Sequence, residues 1–366
     1  MYDLIPIVNV VLLTITLFSF HGISFSQTFS AKGQFVASGL TSNDIPDNWQ
    51  SYESIIEYIP TLSLAKEISN DKLFDVEWAY HLKRYYAGDS LFNYNENNHR
   101  FWVRYSSDKL EARLGLQKIV FGPTQILRPL SWFDTFDLKD PTGQTDGVES
   151  FRLRWFPSNN IAVWSWLINN DLDTLSFGGR AEVTSAIGEF GFTYHQDPSQ
   201  SIQPIGQVGI PVYKSHNRIA VDYRFDGFIG LWNESVLVTS DKSKIRLITI
   251  GADYTIPVAN GVLLMAESMY ISNEYNSIQS DQNFSVFMAS LPIGMVHQVM
   301  YISQVDWKED KTYQYLRWSS TYDAYSLNMI ISMNPKRNQY DIPANSLPKS
   351  LSGFGTGIQF MFIYNH

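Results

Sequence analysis

Short segments in which apolar and charged residues alternate run from about Gly33 to the end of the chain, with full charges confined to one parity. In Phe151-Arg152-Leu153-Arg154-Trp155 a strand would place Phe151, Leu153 and Trp155 on one face and both arginines on the other, because successive side chains point to opposite sides. The pattern returns in Arg100-Phe101-Trp102-Val103-Arg104-Tyr105, in Leu110-Glu111-Ala112-Arg113-Leu114 and in Ile219-Ala220-Val221-Asp222-Tyr223-Arg224-Phe225-Asp226. Strands of this kind have two outlets. A water-soluble sandwich hides the greasy face, whereas a transmembrane barrel turns it to lipid and wets its lumen.

Composition separates the two. The chain has 366 residues, of which 15 % are aromatic and only 17 % charged. A soluble domain carries about 25 % charged residues. Low charge with many aromatics fits an exterior that meets lipid and carries aromatic girdles. A net charge of −9 argues against a nucleic-acid partner, which calls for a basic surface. The absence of Cys excludes a disulfide scaffold and a thiolate metal site. An apolar run from Ile5 to Phe20, followed by small and polar residues up to Ser26, reads as an export signal over 1–26, although no Lys or Arg precedes it. Residues 27–366 then form a single barrel domain.

Strands are expected at 33–40, 54–67, 72–87, 98–107, 109–121, 148–157, 160–169, 175–185, 187–195, 216–226, 229–240, 243–256, 261–273, 282–291, 295–307, 311–322, 323–334 and 351–364. Their number is about 18, with 16 the alternative if one hairpin merges. Every second connection is tight, as at Ser107-Asp108 and Tyr322-Asp323, while 41–53, 122–147, 196–215 and 335–350 are long. Outer-membrane barrels have this asymmetry, with short periplasmic turns, longer outer loops and an even strand number. The expected fold is therefore all-β, a single transmembrane antiparallel barrel. The inside face of Gly261–Tyr270 stays ambiguous, since both parities are apolar.

An arginine on the lipid face near the midplane costs about 2–4 kcal/mol. Arg104, Arg113, Arg152, Arg154, Arg180 and Arg224 must then line the lumen, together with Glu111, Glu182, Glu189 and Asp222 on the same polar parity. Residues 122–147 are expected to fold into the lumen as a constriction. Two X-Pro steps stiffen this loop, and Trp132, Phe133 and Phe136 need a packing partner. Arg128, Asp134, Asp137, Lys139 and Asp140 would set a transverse field. Arg128 is the first candidate for selectivity, with a structural ion pair as its alternative role. His195 shares a polar face with Glu189 and reads as a satisfied lumen histidine rather than a general base. The sequence holds no HExxH, phosphate-cradling glycine loop or EF-hand series, so neither catalytic residues, nor a metal, nor a cofactor is expected.

Two stretches carry a resemblance. Ile358, Phe360, Phe362, Tyr364 and His366 share one parity up to the chain end. They are similar to the C-terminal strand of Gram-negative outer-membrane proteins, which the barrel assembly machinery reads; that family usually ends in Phe or Tyr, and here His366 takes the place. Phe121-Gly122-Pro123, then Arg128-Pro129-Leu130 and Trp132-Phe133-Asp134, resembles a strand-to-loop segment of porin-like outer-membrane proteins of the Bacteroidota. This likeness spans about thirty residues. It implies a porin-like channel for passive diffusion of small hydrophilic solutes, in contact with outer-membrane lipid, and names no substrate. The alternatives are a barrel hydrolase of the outer membrane and a secreted, soluble all-β binding protein.

Overall fold

A computed structural model describes residues 27–45, 47, 49–169, 174–199, 202–205, 210–213, 215–258, 260–335 and 350–366. The expected export segment, 1–26, lies outside the described residues. Eighteen strands form one closed antiparallel cylinder. In chain order they are β1 (Gln27–Ser42), β2 (Tyr52–Ser69), β3 (Lys72–Ala87), β4 (Ser90–Ser106), β5 (Leu110–Gln117), β6 (Val148–Ser158), β7 (Ile161–Asn169), β8 (Leu175–Ser185) and β9 (Gly188–Asp197). A hairpin of β10 (Ile202–Ile205) and β11 (Ile210–Tyr213) interrupts the wall. It continues with β12 (His216–Asp226), β13 (Gly230–Ser240), β14 (Ser243–Ile256), β15 (Val262–Tyr275), β16 (Ile278–Ile293), β17 (His297–Asp306), β18 (Lys311–Thr321), β19 (Tyr325–Met333) and β20 (Thr356–Asn365).

Each wall strand pairs with the next, β9 with β12 across the hairpin, and β1 with β20 to close the ring. Closure leaves no free sheet edge, the condition for a sheet to cross hydrocarbon. Gly33 and His366 extend the seam by exchanging backbone hydrogen bonds of 2.9 and 3.0 Å. A Cβ at Gly33 would strike the His366 ring. That ring stacks on Tyr58 and Tyr364.

The greasy parity faces outward as expected. Phe151, Trp155, Ile250 and Phe360 are exposed on the outer wall, and on β20 Ile358, Phe360, Phe362 and Tyr364 share the outward side, opposite buried Gly357 and Ile363. The connections after β2, β4, β6, β8, β12, β14, β16 and β18 are all short and lie at one end of the cylinder (the turn end), while the strand ends flanking 43–51, 118–147, 198–215 and 334–355 lie at the other (the loop end), which also carries tight connections at Gly88-Asp89, Asp241-Lys242 and Asn276-Ser277. Five strand limits differ from expectation by four residues or more; two are simple extensions, β1 starting at Gln27 rather than 33 and β16 at Ile278 rather than 282. β4 starts at Ser90, so β3 and β4 form a tall hairpin whose upper part, rich in Asn, lacks the apolar alternation that marks membrane depth. β5 stops at Gln117 rather than 121, because Ile119 and Phe121 leave the wall and are buried inside. β20 starts at Thr356, after a 3-10 turn at Leu351–Gly353.

The apolar parity does not always face out. On β7 the inward side is Ala162, Trp164, Trp166 and Ile168, while Ser165 is exposed. On β15 the ambiguous stretch resolves with Met265, Glu267, Met269 and Ile271 inward. The lumen is therefore not uniformly charged and wet.

Candidate functional site

Residues 118–147 enter the barrel and divide it. The first limb, 119–133, packs Ile119, Phe121, Ile126, Leu127, Leu130 and Phe133 against inward Trp164, Trp166, Trp232, Val236, Val238, Met265 and Met269 in one buried cluster. Val212 of the β10–β11 hairpin joins it, fully buried. This half of the lumen is dry.

Two carboxylates from the wall hold that limb by its backbone. Glu267 Oε1 accepts from Gln125 N at 2.7 Å and from Trp232 Nε1 at 3.1 Å. Its Oε2 accepts from Ile126 N at 3.1 Å and Leu127 N at 2.7 Å. Glu234 accepts from Thr124 N at 2.9 Å and Leu130 N at 3.0 Å. Both side chains are buried, and among the described residues neither forms a salt bridge. Such a carboxylate is tolerable only when its lone pairs are filled, and here successive loop amides fill them. Hydrogen bonds to a charged group contribute about 1.5–3 kcal/mol each. Gly122 makes the approach possible: its φ is +91°, and a Cβ there would collide with Glu234.

Within the loop, Arg128 Nη1 lies 2.5 Å from Asp134 Oδ1, both side chains buried, with the guanidinium 5.3 Å from the Phe136 ring centroid. The pair turns the chain between the two limbs. Trp132 gives its Nε1 hydrogen to Pro129 O at 3.0 Å. Phe121, Phe133, Trp132 and Trp166 surround His195 or one another edge-on or stacked, and His195 Nδ1 accepts from Trp166 Nε1 at 3.2 Å.

The second limb, 135–146, stands across the lumen. Tyr315 Oη donates to Lys139 O at 2.5 Å, Gln144 Nε2 to Gln34 Oε1 at 3.0 Å, and Arg100 Nη2 to Thr145 O at 2.5 Å. Between this limb and the wall of β1–β3 and β17–β20 remains a space of about 610 Å3. Asp137, Lys139, Asp140 and Asp146 line it from the loop, and Glu57, His81, Lys83, Gln304 and Tyr313 from the wall. Glu57 is paired with Lys83 and His81, each at 2.9 Å. Lys139 and Asp137 are 3.8 Å apart and half exposed, so their charges face the space with little mutual neutralisation.

Toward the turn end the inward wall carries the charged rows. Arg104 meets Asp75 at 2.8 and 2.5 Å. Glu111 meets Arg152 at 2.6 Å and Arg104 and Arg113 at 3.7 Å. Arg154 lies over the Trp164 ring at 4.1 Å. On the far wall Arg180 binds Asp222 at 2.6 Å and Glu182 at 2.7 Å, and its guanidinium lies 5.3 Å from the Phe121 centroid. Arg224 pairs with Asp226 at 2.9 Å, and Glu189 lines a smaller space with Arg180 and Asp222 below the loop. The structure thus groups Asp137, Lys139 and Asp140 at the open half, and puts Arg128 and Asp134 inside the loop's own fold.

Sequence reasoning passed over Glu234, Glu267 and the inward tryptophans. A signal existed: Trp232, Glu234, Val236 and Val238 share one parity, an apolar face interrupted by a single acid. Each inward indole also has a partner on the wall, with Trp102 donating to Glu77 at 3.2 Å and Trp164 to Glu182 at 3.1 Å on the adjacent strands, and Trp166 and Trp232 reaching two strands away to His195 and Glu267.

No protein-family model matches the chain, and no curated protein matches it. Several solved structures share its fold. The anion-selective porin from Comamonas acidovorans aligns with a TM-score of 0.51 and 13 % identity, covering 93 % of this chain and 100 % of that one. OccK5 (OpdH) of Pseudomonas aeruginosa aligns at 0.55 and 5 % identity, over 93 % and 98 %. OccD3 (OpdP) of the same organism aligns at 0.58 and 7 % identity, over 93 % and 91 %. The chain has the fold of outer-membrane porins.

Proposed function

We propose that the protein is a passive diffusion channel of the bacterial outer membrane, for small hydrophilic solutes. One observation carries this reading: the loop limb is fastened so that half of a closed barrel stays open, with charged and amide side chains around a space of about 610 Å3. Solute passes between residues 135–146 and the wall of β1–β3 and β17–β20. Asp137, Lys139 and Asp140 sort it by size and charge against Glu57 and Lys83, while Arg128 and Asp134 act indirectly by bracing the turn. The reading requires no catalytic group and no cofactor.

The outward row Phe151, Leu153, Trp155 contacts lipid, and the outward aromatics of β20 are the surface that the barrel assembly machinery reads. The F-G-P and R-P-L segments resemble those of porin-like proteins of the Bacteroidota, which supports this reading of the loop. Residues 1–26 direct export. The test is purified protein in planar bilayers: stepwise conductance is expected, and no conductance where a known porin conducts would contradict the proposal.

A further inference from the structure

Three arginines stand side by side on the lumen wall at the turn end. Arg104 of β4 is the direct cross-strand partner of Arg113 of β5, which is the partner of Arg152 of β6. Directly opposed side chains have Cβ atoms about 4.5–5.5 Å apart, and like charges at that spacing destabilise a sheet. Arg154 adds a fourth guanidinium one row nearer the turns, beside Glu111. Local neutralisation is incomplete. Asp75 serves Arg104, and Glu111 is shared by Arg104, Arg113 and Arg152. Among the described residues Arg154 forms no ion pair, and the buried Nε groups of Arg113, Arg152 and Arg154 have no hydrogen-bond partner.

Each of the four lies over an indole. Arg113 lies 4.3 Å and Arg104 5.6 Å from the Trp102 centroid, and Arg154 4.1 Å and Arg152 5.4 Å from that of Trp164. Each indole is itself anchored to a carboxylate of a neighbouring strand, Trp102 to Glu77 and Trp164 to Glu182. These contacts restrain the guanidinium groups, whose planar forks bind an oxyanion through two parallel hydrogen bonds. Arg104 keeps a quarter of its side chain exposed and Arg113 a seventh, so lumen water reaches the row.

We infer that Arg104, Arg113, Arg152 and Arg154 form an oxyanion-binding shelf for solutes that carry a carboxylate or phosphate group. The shelf rests on the channel reading. It lies below the constriction: Asp75 beside it and Lys83 at the open half are eight residues apart on β3, about 26 Å at 3.3 Å per residue. A solute meets the charged constriction and the shelf in succession.

The test is single-channel recording in potassium chloride with succinate or inorganic phosphate titrated into the compartment facing the turn end. Concentration-dependent interruption of the current is expected in the natural protein. The half-blocking concentration should rise about tenfold in Arg154→Gln and Arg113→Gln, the change expected for loss of one charge-assisted contact. Arg154→Lys, which keeps the charge but not the fork, should fall between. Block by succinate alone assigns the carboxylate, block by phosphate alone the phosphate, and block by both their shared chemistry. The shelf is overturned if neither probe blocks a conducting channel, or if block is unchanged in both glutamine variants. Absence of current in plain potassium chloride would instead overturn the channel reading. Heat-induced unfolding of Arg154→Gln should match the natural protein, since the group braces no ion pair.

Discussion

The two halves of the lumen are built from the same strands by opposite rules. In the dry half, inward Val236, Val238, Met265 and Met269 meet the loop's own Ile126, Leu127 and Leu130, and the buried carboxylates Glu234 and Glu267 are filled by loop amides and, for Glu267, the Trp232 indole. In the open half, Asp137, Lys139 and Asp140 stand across from Glu57 and Lys83, partly exposed and loosely paired. A buried charge without a partner is costly, so charges in the dry half fasten. Charges in water cost little and act at a distance, so those in the open half sort solutes. The difference teaches that pore width here is set on the side where nothing passes.

The largest effect should follow from cutting the fastening. Glu234→Ala with Glu267→Ala leaves the amides of Thr124, Gln125, Ile126, Leu127 and Leu130 buried without acceptors, at about 1–3 kcal/mol each. The limb then leaves the wall. Conductance should rise several-fold and larger neutral sugars should enter, as read by liposome swelling. Conductance equal to that of the natural protein would show that the loop is held by packing alone.

Leu130→Ala comes next, and separates stability from passage. Leu130 is 1 % exposed in the dry cluster. Its truncation should cost about 2–5 kcal/mol, seen as a lower unfolding temperature on heated gels, while ion preference stays put. Asp137→Asn with Asp140→Asn should do the reverse, leaving unfolding unchanged and moving the reversal potential in a salt gradient toward anions. Lys139→Ala should give the smallest shift, toward cations, because Lys139 is half exposed and its backbone oxygen, not its ammonium, carries the contacts to Tyr315 and Arg317.

These contrasts mark what the sequence could disclose. The wall was legible because alternation is a local property: Phe151 and Arg152 declare their faces within one strand, and the eighteen-strand count follows from the turns between such segments. The inward loop was legible from Trp132, Phe133 and Phe136, aromatics too many for a surface loop. Its fastening was not. Glu267 sits in a segment apolar on both parities, and nothing local states that its partners are amides some 140 residues earlier. Arg128 was left between two roles, facing solute or forming a structural ion pair, for a related reason. A charged residue in a constricting loop reads as facing solute, but Asp134 is six residues away and the chain folds back to bury the two together. The upper part of β4 was missed because its asparagines rise above the lipid, where no alternation is needed.

The chain has no cysteine, so single introduced thiols report accessibility without background. The most direct measurement is current through Gln304→Cys and Ser332→Cys channels, lining the open half, beside Val236→Cys and Val238→Cys channels, buried in the dry half. A charged thiol reagent is added during recording. A stepwise fall in current at Gln304 and Ser332, with none at Val236 and Val238, is the expected result. Equal modification of all four, or modification of the valine positions alone, would contradict a lumen divided into a packed half and an open one.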